Sequence, residues 1–316
     1  MNAPERVSKR GAVVDIGSNT IKILVGEMNG DQLRILFDRT LECRISEGMY
    51  SSPPKFTEEA MKKASDGVAE LLEFAQELSP ERVEILATSA VRDAENREVF
   101  RAKIHANTGH RVTVLSGREE AAGIAMGVAQ EPLLDPSQPY SITDLGGGSL
   151  EWIYCSSGEV EHMVSMDIGA VRLMNRFVKD PDAPLGSEVK TMIKNHCHDI
   201  MASSLPERIE PHTNHWGTGG AFTISRLILA TENQVSLVEQ SPSLPLRELR
   251  RIEHELSALP LAQRQHFPGL PKSRADILPV ALIVIQALAE RLGEADFKHS
   301  FYNLRMGRLA KLLGKT

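Results

Sequence analysis

The chain contains the stretch VVDIGSNTIKILVGEMNGDQLRIL (13–36) and, much later, the stretch SITDLGGGSLEWIYCSSGEVEHMV (141–164). Aligning Asp15 with Asp144 gives both the same order: a strand, an Asp-x-Gly turn, a second strand, a tight turn and a third strand. The tight turns are an Asn-Gly pair and a Ser-Gly pair, which favour hairpins. The repeat therefore predicts two similar lobes, each opening with a glycine-rich hairpin.

The spacing of apolar residues predicts the remaining elements. The first lobe alternates helices with strands, as α/β lobes do, with helices expected from Thr57, over 96–106 and over 117–129. The second lobe is largely helical after its hairpins. It contains a charged helix at about 246–258 and the segment RADILPVALIVIQALAERL (274–292), whose apolar faces predict a helix buried between layers.

Length and organisation predict two domains. A chain of 316 residues is long for a single hydrophobic core. We place the first domain at residues 1–135 and the second at 136–298, joined at the proline-rich stretch EPLLDPSQP. The amphipathic helix within 299–316 is expected to pack back on the first lobe.

Composition restricts the class of protein. The formal net charge of -6 argues against non-specific binding to nucleic acid. The three cysteines form no CxxC pair, which argues against a disulfide framework or a zinc site. No stretch resembles a signal peptide or a membrane span. We expect a soluble cytoplasmic protein that binds neither nucleic acid nor membranes, and we leave a homodimer open.

Each Asp-glycine loop has the composition of a phosphate-binding turn. Small residues after a strand let the backbone turn tightly and aim several amides into one concavity. A single loop of this kind is as often a plain hairpin turn, whereas two copies at equivalent places are a stronger signal. The candidate phosphate ligands are Gly17, Ser18, Asn19 and Thr20 in the first loop, and Gly146, Gly147, Gly148 and Ser149 in the second. Two lobes facing each other would clamp a phosphate chain from both sides.

Carboxylates and one arginine near these loops could carry chemistry. Asp144 and Glu151 are seven residues apart, so a short hairpin could bring both beside a phosphate-bound magnesium ion; a turn cap and an exposed strand residue are the plain alternatives. If Ser116 caps the helix that follows it, Glu119 folds back on that cap. Glu120 is then left to orient and deprotonate water, although helix-dipole decoration is the more usual role for such a residue.

Arg92 follows a strand and the short run Thr-Ser-Ala, where a guanidinium could neutralise phosphate charge. A surface salt bridge is the plain alternative for this arginine.

Seven segments together resemble the exopolyphosphatase/guanosine pentaphosphate phosphohydrolase (Ppx/GppA) family, in order over nearly the whole chain. They are the two loops and ATSAVRDAENRE, LSGREEAAGIAMGV, MDIGAVRLMNRF, WGTGGAF and GLPKSRADILPVALI. The resemblance implies the fold shared by actin, sugar kinases and acetate kinases, with two ribonuclease-H-like α/β lobes and an inter-lobe cleft.

The resemblance also assigns roles. It implies that the phosphate loops are Asp15 to Thr20 and Asp144 to Ser149, that Glu120 is the catalytic glutamate, and that Arg92 contacts phosphate. Asp144 and Glu151 become the ligands of Mg²⁺, or of another divalent cation such as Mn²⁺. Lys22 is expected to offset charge at the transferred group together with Arg92.

Some segments depart from the family pattern. The family usually has an RLGEG-like segment where this chain has RISEG (44–48), and YNLRMG (302–307) stands for a YGLREG-like stretch. We expect the family's C-terminal HD-type helical region to be absent. NHCHD (195–199) is not expected to bind metal, because successive helical residues point in different directions. The loop 217–220 either resembles an adenosine-side loop of the kinase relatives or closes the floor of the cleft.

These observations predict a phosphoanhydride hydrolase that releases terminal orthophosphate from inorganic polyphosphate, with short chains favoured. The first alternative is a guanosine pentaphosphate 5'-phosphohydrolase. An ATP-dependent kinase of the same superfold and a non-catalytic nucleotide-sensing module are further alternatives; the kinase would need a second substrate, and the sensor would not need a glutamate base.

Overall fold

The computed structural model describes residues 9–30, 32–46, 49, 53–209 and 214–314. The final residues of the RISEG segment lie outside these ranges. The chain divides into two compact units, the first formed by Met1–Gly127 with Leu304–Thr316 and the second by Val128–Asn303.

The first unit contains a five-stranded sheet. Its strands are β1 (Arg10–Ile16), β2 (Thr20–Asn29), β3 (Gln32–Glu42), β4 (Arg82–Ala87) and β5 (Val112–Val114), in the spatial order β3-β2-β1-β4-β5. The first three strands are antiparallel, whereas β4 runs parallel to β1 and β5 parallel to β4. This is the ribonuclease-H-like arrangement that the resemblance implies.

The second unit repeats this arrangement in a six-stranded sheet. Its strands are β6 (Tyr140–Leu145), β7 (Leu150–Ser156), β8 (Glu159–Met166), β9 (Asn214–Thr218), β10 (Ser243–Leu244) and β11 (Phe297–His299), in the spatial order β10-β11-β9-β6-β7-β8. Strands β6, β7 and β8 form the antiparallel meander, and β9 runs parallel to β6 as β4 does to β1.

Helices flank both sheets. They are α1 (Glu58–Gln76), α2 (Ser89–Asp93), α3 (Arg97–Thr108), α4 (Gly117–Val128), α5 (Ala170–Phe177), α6 (Ser187–Ser204), α7 (Gly220–Glu232), α8 (Leu246–Ala258), α9 (Leu261–Arg264), α10 (Leu278–Arg291) and α11 (Leu304–Leu312). None of the helices in the described ranges combines the length and the hydropathy that a membrane span requires.

Local sequence explains where several helices begin. The Thr57 hydroxyl accepts a hydrogen bond from the Ala60 amide at 3.1 Å, which caps α1 at its predicted start. The charged helix predicted at 246–258 is α8. The apolar segment predicted to be buried forms α10, which packs against α6 and α8 with nearly all of its residues buried. These three predictions are confirmed.

The C-terminal helix α11 belongs to the first unit, where it packs on β1 and β2. The Arg305 guanidinium donates to the Ile23 carbonyl and to the Asp38 carboxylate, at 3.2 and 2.5 Å. Gly307 crosses α4 so closely that a Cβ there would overlap the Gly123 carbonyl oxygen. Helix α4 is thereby fixed against the sheet, which matters because it carries Glu120.

Candidate phosphate and metal site

The two Asp-glycine loops form the same turn in the two units. The Gly17 amide donates to the Thr20 carbonyl at 3.0 Å, and the Gly146 amide donates to the Ser149 carbonyl at 3.0 Å. Each bond closes the tip of a hairpin, between β1 and β2 in one unit and between β6 and β7 in the other. The loops that the sequence repeat predicted are therefore equivalent in backbone geometry as well as in position.

The carbonyls of the first loop are engaged by the segment that follows β3. The Asn19 carbonyl accepts from the amides of Cys43 and Arg44, at 3.0 and 2.8 Å. The Ser18 carbonyl accepts from the Ser46 amide and hydroxyl, at 3.1 and 3.0 Å. In a trans peptide the N–H points opposite to the C=O, so the next amides along the chain point away from this segment.

The carbonyls of the second loop are engaged in the same way by the segment that follows β8. The Gly146 carbonyl accepts from the Ala170 amide at 3.1 Å, and the Gly147 carbonyl accepts from the Arg172 amide at 3.0 Å. The Arg172 guanidinium donates to the Gly148 carbonyl at 2.7 Å. In both loops the carbonyls are therefore bound by the segment that follows the third strand, and the next amides point away from that segment. Successive amides that point to one side are the arrangement of an anion-binding nest.

The residues that flank the two loops differ in charge. Antiparallel register sets Asp15 opposite Lys22 in the first unit and Asp144 opposite Glu151 in the second. An ammonium beside the first loop suits phosphate, whereas two facing carboxylates suit a cation. The hairpin proposed from the seven-residue spacing is therefore present.

The first loop also contains two buried polar atoms. Asp15 Oδ1 and Asn19 Nδ2 have no hydrogen-bond partner among the described residues. Burial raises the pKa of Asp15, and the charges of Lys22 and Arg305 oppose that rise. Buried polar atoms are usually satisfied, so these two are available to a ligand at the loop.

The second unit offers a pair of carboxylates that a hard divalent cation could bind. Glu151 is 1% exposed, and its Oε1 accepts a hydrogen bond from the Ser165 hydroxyl at 2.6 Å. Within the described ranges, no group of three or more His, Cys, Asp or Glu side chains is arranged to hold a metal ion. A pair of carboxylates fits Mg²⁺, which takes one or two of them and completes its shell with water and substrate phosphate.

Glu119 and Glu120 have different partners at the start of α4. The Glu119 Oε2 atom accepts from the Ser116 amide and hydroxyl, at 2.8 and 2.7 Å, and the Glu119 amide donates to the Ser116 hydroxyl at 3.3 Å. The predicted capping box is confirmed. These bonds from Ser116 hold the pKa of Glu119 below its usual range.

Glu120 lies on another side of this helical turn and is 7% exposed. Its Oε2 accepts a hydrogen bond from Arg92 Nη1 at 3.0 Å, and the same nitrogen donates to the Leu115 carbonyl at 2.9 Å. Arg92 stands on α2, which begins where the Thr88 amide donates to the Ile16 carbonyl at 3.3 Å. The structure therefore brings Arg92 and Glu120 together next to the strand that leads into the first loop.

Most of the chain matches a known protein family. The model of the Ppx/GppA phosphatase family matches residues 24–316. The chain belongs to the Ppx/GppA phosphatase family.

Relatives within the family carry two kinds of name. Exopolyphosphatase 2 of Mycobacterium tuberculosis is 29% identical over 295 residues, which cover 90% of this chain and 91% of that protein. A guanosine-5'-triphosphate,3'-diphosphate pyrophosphatase of Photobacterium profundum is 25% identical over 312 residues and 98% of this chain, but this chain spans only 60% of its length.

A solved structure of an exopolyphosphatase from Cytophaga hutchinsonii superposes with a TM-score of 0.88 at 26% identity, covering 96% of this chain and 98% of that one. The predicted superfold is confirmed.

Two further segments singled out in the sequence now have positions. In the NHCHD run, Cys197 is buried in the core, His198 contacts Glu290 at 3.2 Å, and His196 packs against the Phe177 ring. These three side chains therefore have different surroundings.

The loop 217–220 lies next to Asp144. Strand register sets Thr218 opposite Asp144, and a Cβ on Gly219 would stand 2.6 Å from Asp144 Oδ1. Gly219 has a φ of 93°, which favours glycine. An adenosine-side role and closure of the cleft floor both stay predictions for this loop.

Sequence reasoning assigned no role to three residues of this site. Ser165 contacts Glu151, Arg172 contacts the second loop, and Gly169 approaches that loop so closely that a Cβ would overlap the Gly148 backbone. Gly169 and Arg172 belong to the quoted motif MDIGAVRLMNRF, so a role for that motif was open to inference. Ser165 carried no motif signal, because its position depends on strand register.

Proposed function

We propose that this protein is an exopolyphosphatase that hydrolyses the terminal phosphoanhydride bond of inorganic polyphosphate. The observation that carries the proposal is the 3.0 Å contact between Arg92 and Glu120. It pairs the candidate phosphate-binding guanidinium with the candidate general base. An ionised carboxylate accepts hydrogen bonds and donates none, which suits a contact with a guanidinium. The ionised form is also the one that can take a proton from water.

The chain's own residues would act in three ways. Amides of the two loops bind phosphoryl oxygens, and Arg92 with Lys22 offsets charge on the transferred group. Glu120 orients a water molecule and accepts its proton as the water oxygen bonds to the terminal phosphorus. The bond from that phosphorus to the bridging oxygen breaks, which releases orthophosphate and a chain shortened by one unit.

Asp144 and Glu151 would hold Mg²⁺ or Mn²⁺, which supplies positive charge to phosphate oxygens when it is bound. The two facing carboxylates support this assignment, since the first loop has Asp15 opposite Lys22 and so lacks a comparable pair.

Polyphosphate is the first candidate substrate, with short chains favoured. The relative matched over 91% of its own length is named an exopolyphosphatase. Guanosine pentaphosphate is the second candidate, because relatives matched over a smaller share of their length are named for that nucleotide.

The test is a phosphate-release assay on the full chain with Mg²⁺. Polyphosphates of defined lengths and guanosine pentaphosphate are offered separately at matched concentrations, with Glu120→Gln as the control. Release from short polyphosphate without any second substrate is expected, which also excludes the kinase alternative. Faster release from the nucleotide would identify guanosine pentaphosphate as the preferred substrate. Absence of turnover on both substrates would favour the non-catalytic nucleotide-sensing module.

A further inference from the structure

We propose that Ser165 is a positioning residue for the divalent-cation site: its hydroxyl orients the Glu151 carboxylate so that Glu151 and Asp144 bind the cation together. The inference rests on the proposed role of these two carboxylates. It adds a residue that lies on a third strand and has no direct part in phosphate binding.

Register places these three side chains in one row across the sheet. Asp144 on β6 is directly opposite Glu151 on β7, and Glu151 is directly opposite Ser165 on β8. Directly opposed residues of antiparallel strands project from the same face, with Cβ atoms about 5 Å apart. Asp144 and Ser165 thus flank Glu151 on its two sides.

A one-residue irregularity creates this row. The β7–β8 register shifts between Tyr154 and Cys155. Continuing the pairing of Ser156 with Glu159 without that shift would set Val164 opposite Glu151, and a valine has no hydroxyl to donate.

The hydrogen bond has the length of a charge-assisted one. Ser165 Oγ lies 2.6 Å from Glu151 Oε1, within the range of an O–H donor to a carboxylate. Glu151 is 1% exposed, so water gives little help in fixing or solvating its carboxylate. The hydroxyl therefore restricts rotation of the carboxylate about its last torsion, as partners of metal ligands commonly do.

The other unit offers a matched control. Its equivalent row is Asp15, Lys22 and Thr40, produced by an equivalent register shift between Val25 and Gly26. Thr40 also carries a hydroxyl, but it stands opposite an ammonium, which accepts no hydrogen bond. Its removal should leave a cation site in the second unit unchanged.

The experiment measures Mn²⁺ affinity of the substrate-free full chain by isothermal titration calorimetry. Ser165→Ala is expected to weaken Mn²⁺ binding about tenfold or more, within the 10–100-fold range usual for such partners. Ser165→Thr should restore most of the affinity, and Thr40→Ala should bind as the wild type does. Circular dichroism of each variant without metal checks that the fold is retained.

Four outcomes overturn the inference. Affinity of Ser165→Ala equal to or tighter than wild type, or Ser165→Thr as weak as Ser165→Ala, would show that the hydroxyl does not orient Glu151. An equal loss in Thr40→Ala would show a general effect on the fold. Failure of the wild type to bind Mn²⁺ would instead refute the metal assignment itself, and the role of Ser165 would fall with it.

Discussion

Glu120→Gln keeps the shape of the side chain and a hydrogen bond to Arg92 but removes the negative charge. The Arg92–Glu120 contact is partly buried, with the side chains 22% and 9% exposed. A hydrogen bond to a charged group contributes about 1.5–3 kcal/mol and a neutral one about 0.5–1.5 kcal/mol. The substitution should therefore lower the free energy of unfolding by about 1–2 kcal/mol.

The expected effect on turnover is much larger than this. Loss of a general base typically costs on the order of 10²–10⁴ in rate, which corresponds to roughly 3–5 kcal/mol in the barrier. A domain with a stability of about 5–15 kcal/mol stays folded after losing about 1–2 kcal/mol. If urea unfolding shows the variant to be folded under assay conditions, a fall in kcat would thus reflect loss of the chemical step rather than unfolding.

Glu119→Gln is the matched control because Glu119 is exposed and caps α4 through Ser116. Glutamine can make the same return bond, so we expect a loss of at most about 1 kcal/mol and nearly unchanged turnover. Because Ser116 lowers the pKa of Glu119 in the folded state, the cap contributes fully above the unfolded pKa. Its contribution is lost as pH falls through the folded pKa. The wild type and Glu119→Gln should therefore have nearly the same free energy of unfolding in acid.

The assay compares kcat and KM of both variants for short polyphosphate, together with urea unfolding at pH 7 and in acid. If Glu119→Gln abolished turnover and Glu120→Gln were silent, the assignment of the base would be wrong by one residue. If both variants kept full turnover, the glutamate-base mechanism would be refuted.

Three further predictions concern binding, metal and packing. Arg92→Ala should raise KM about 10–100-fold, since it removes a charge-assisted bond worth about 1.5–3 kcal/mol; steady-state kinetics with an unchanged KM would place Arg92 outside the phosphate site. EDTA should abolish phosphate release and added Mg²⁺ should restore it, whereas full activity in EDTA would contradict the role of the two facing carboxylates. Gly307→Ala should cost at least about 2 kcal/mol in urea unfolding, because its Cβ would overlap the Gly123 carbonyl. Gly186→Ala, which meets nothing within 4 Å, should cost less than about 1 kcal/mol, and equal losses in the two would show that the helix crossing is not tight.

Much of the fold could be predicted because its signals are local. The Ser116–Glu119 capping box joins residues three positions apart, and Thr57 caps α1 across a single turn. The hairpin loops also fix their own register. The hydrogen bond from Gly146 to Ser149 closes the tip, and the pairing that continues from it sets Asp144 opposite Glu151.

The pairing of Arg92 with Glu120 could not be predicted in this way, because the two residues are 28 positions apart. They meet because β4 and β5 lie side by side in the sheet and the segments that follow these strands both emerge at the same edge. The number of residues between these two segments does not tell how far apart they lie in the folded chain. Resemblance named both residues, and tertiary structure supplied their contact.

The sequence by itself determined the duplication, the two Asp-glycine loops and the carboxylate pair, since each loop and the pair depend on residues within one hairpin. Only the tertiary structure decided which residue contacts Glu151 from the third strand. In both units the middle strand of the meander has a register shift, between Val25 and Gly26 and between Tyr154 and Cys155. A shift of one residue exchanges the faces of every later side chain. The position of the shift depends on packing over the whole sheet, and it sets Ser165 opposite Glu151.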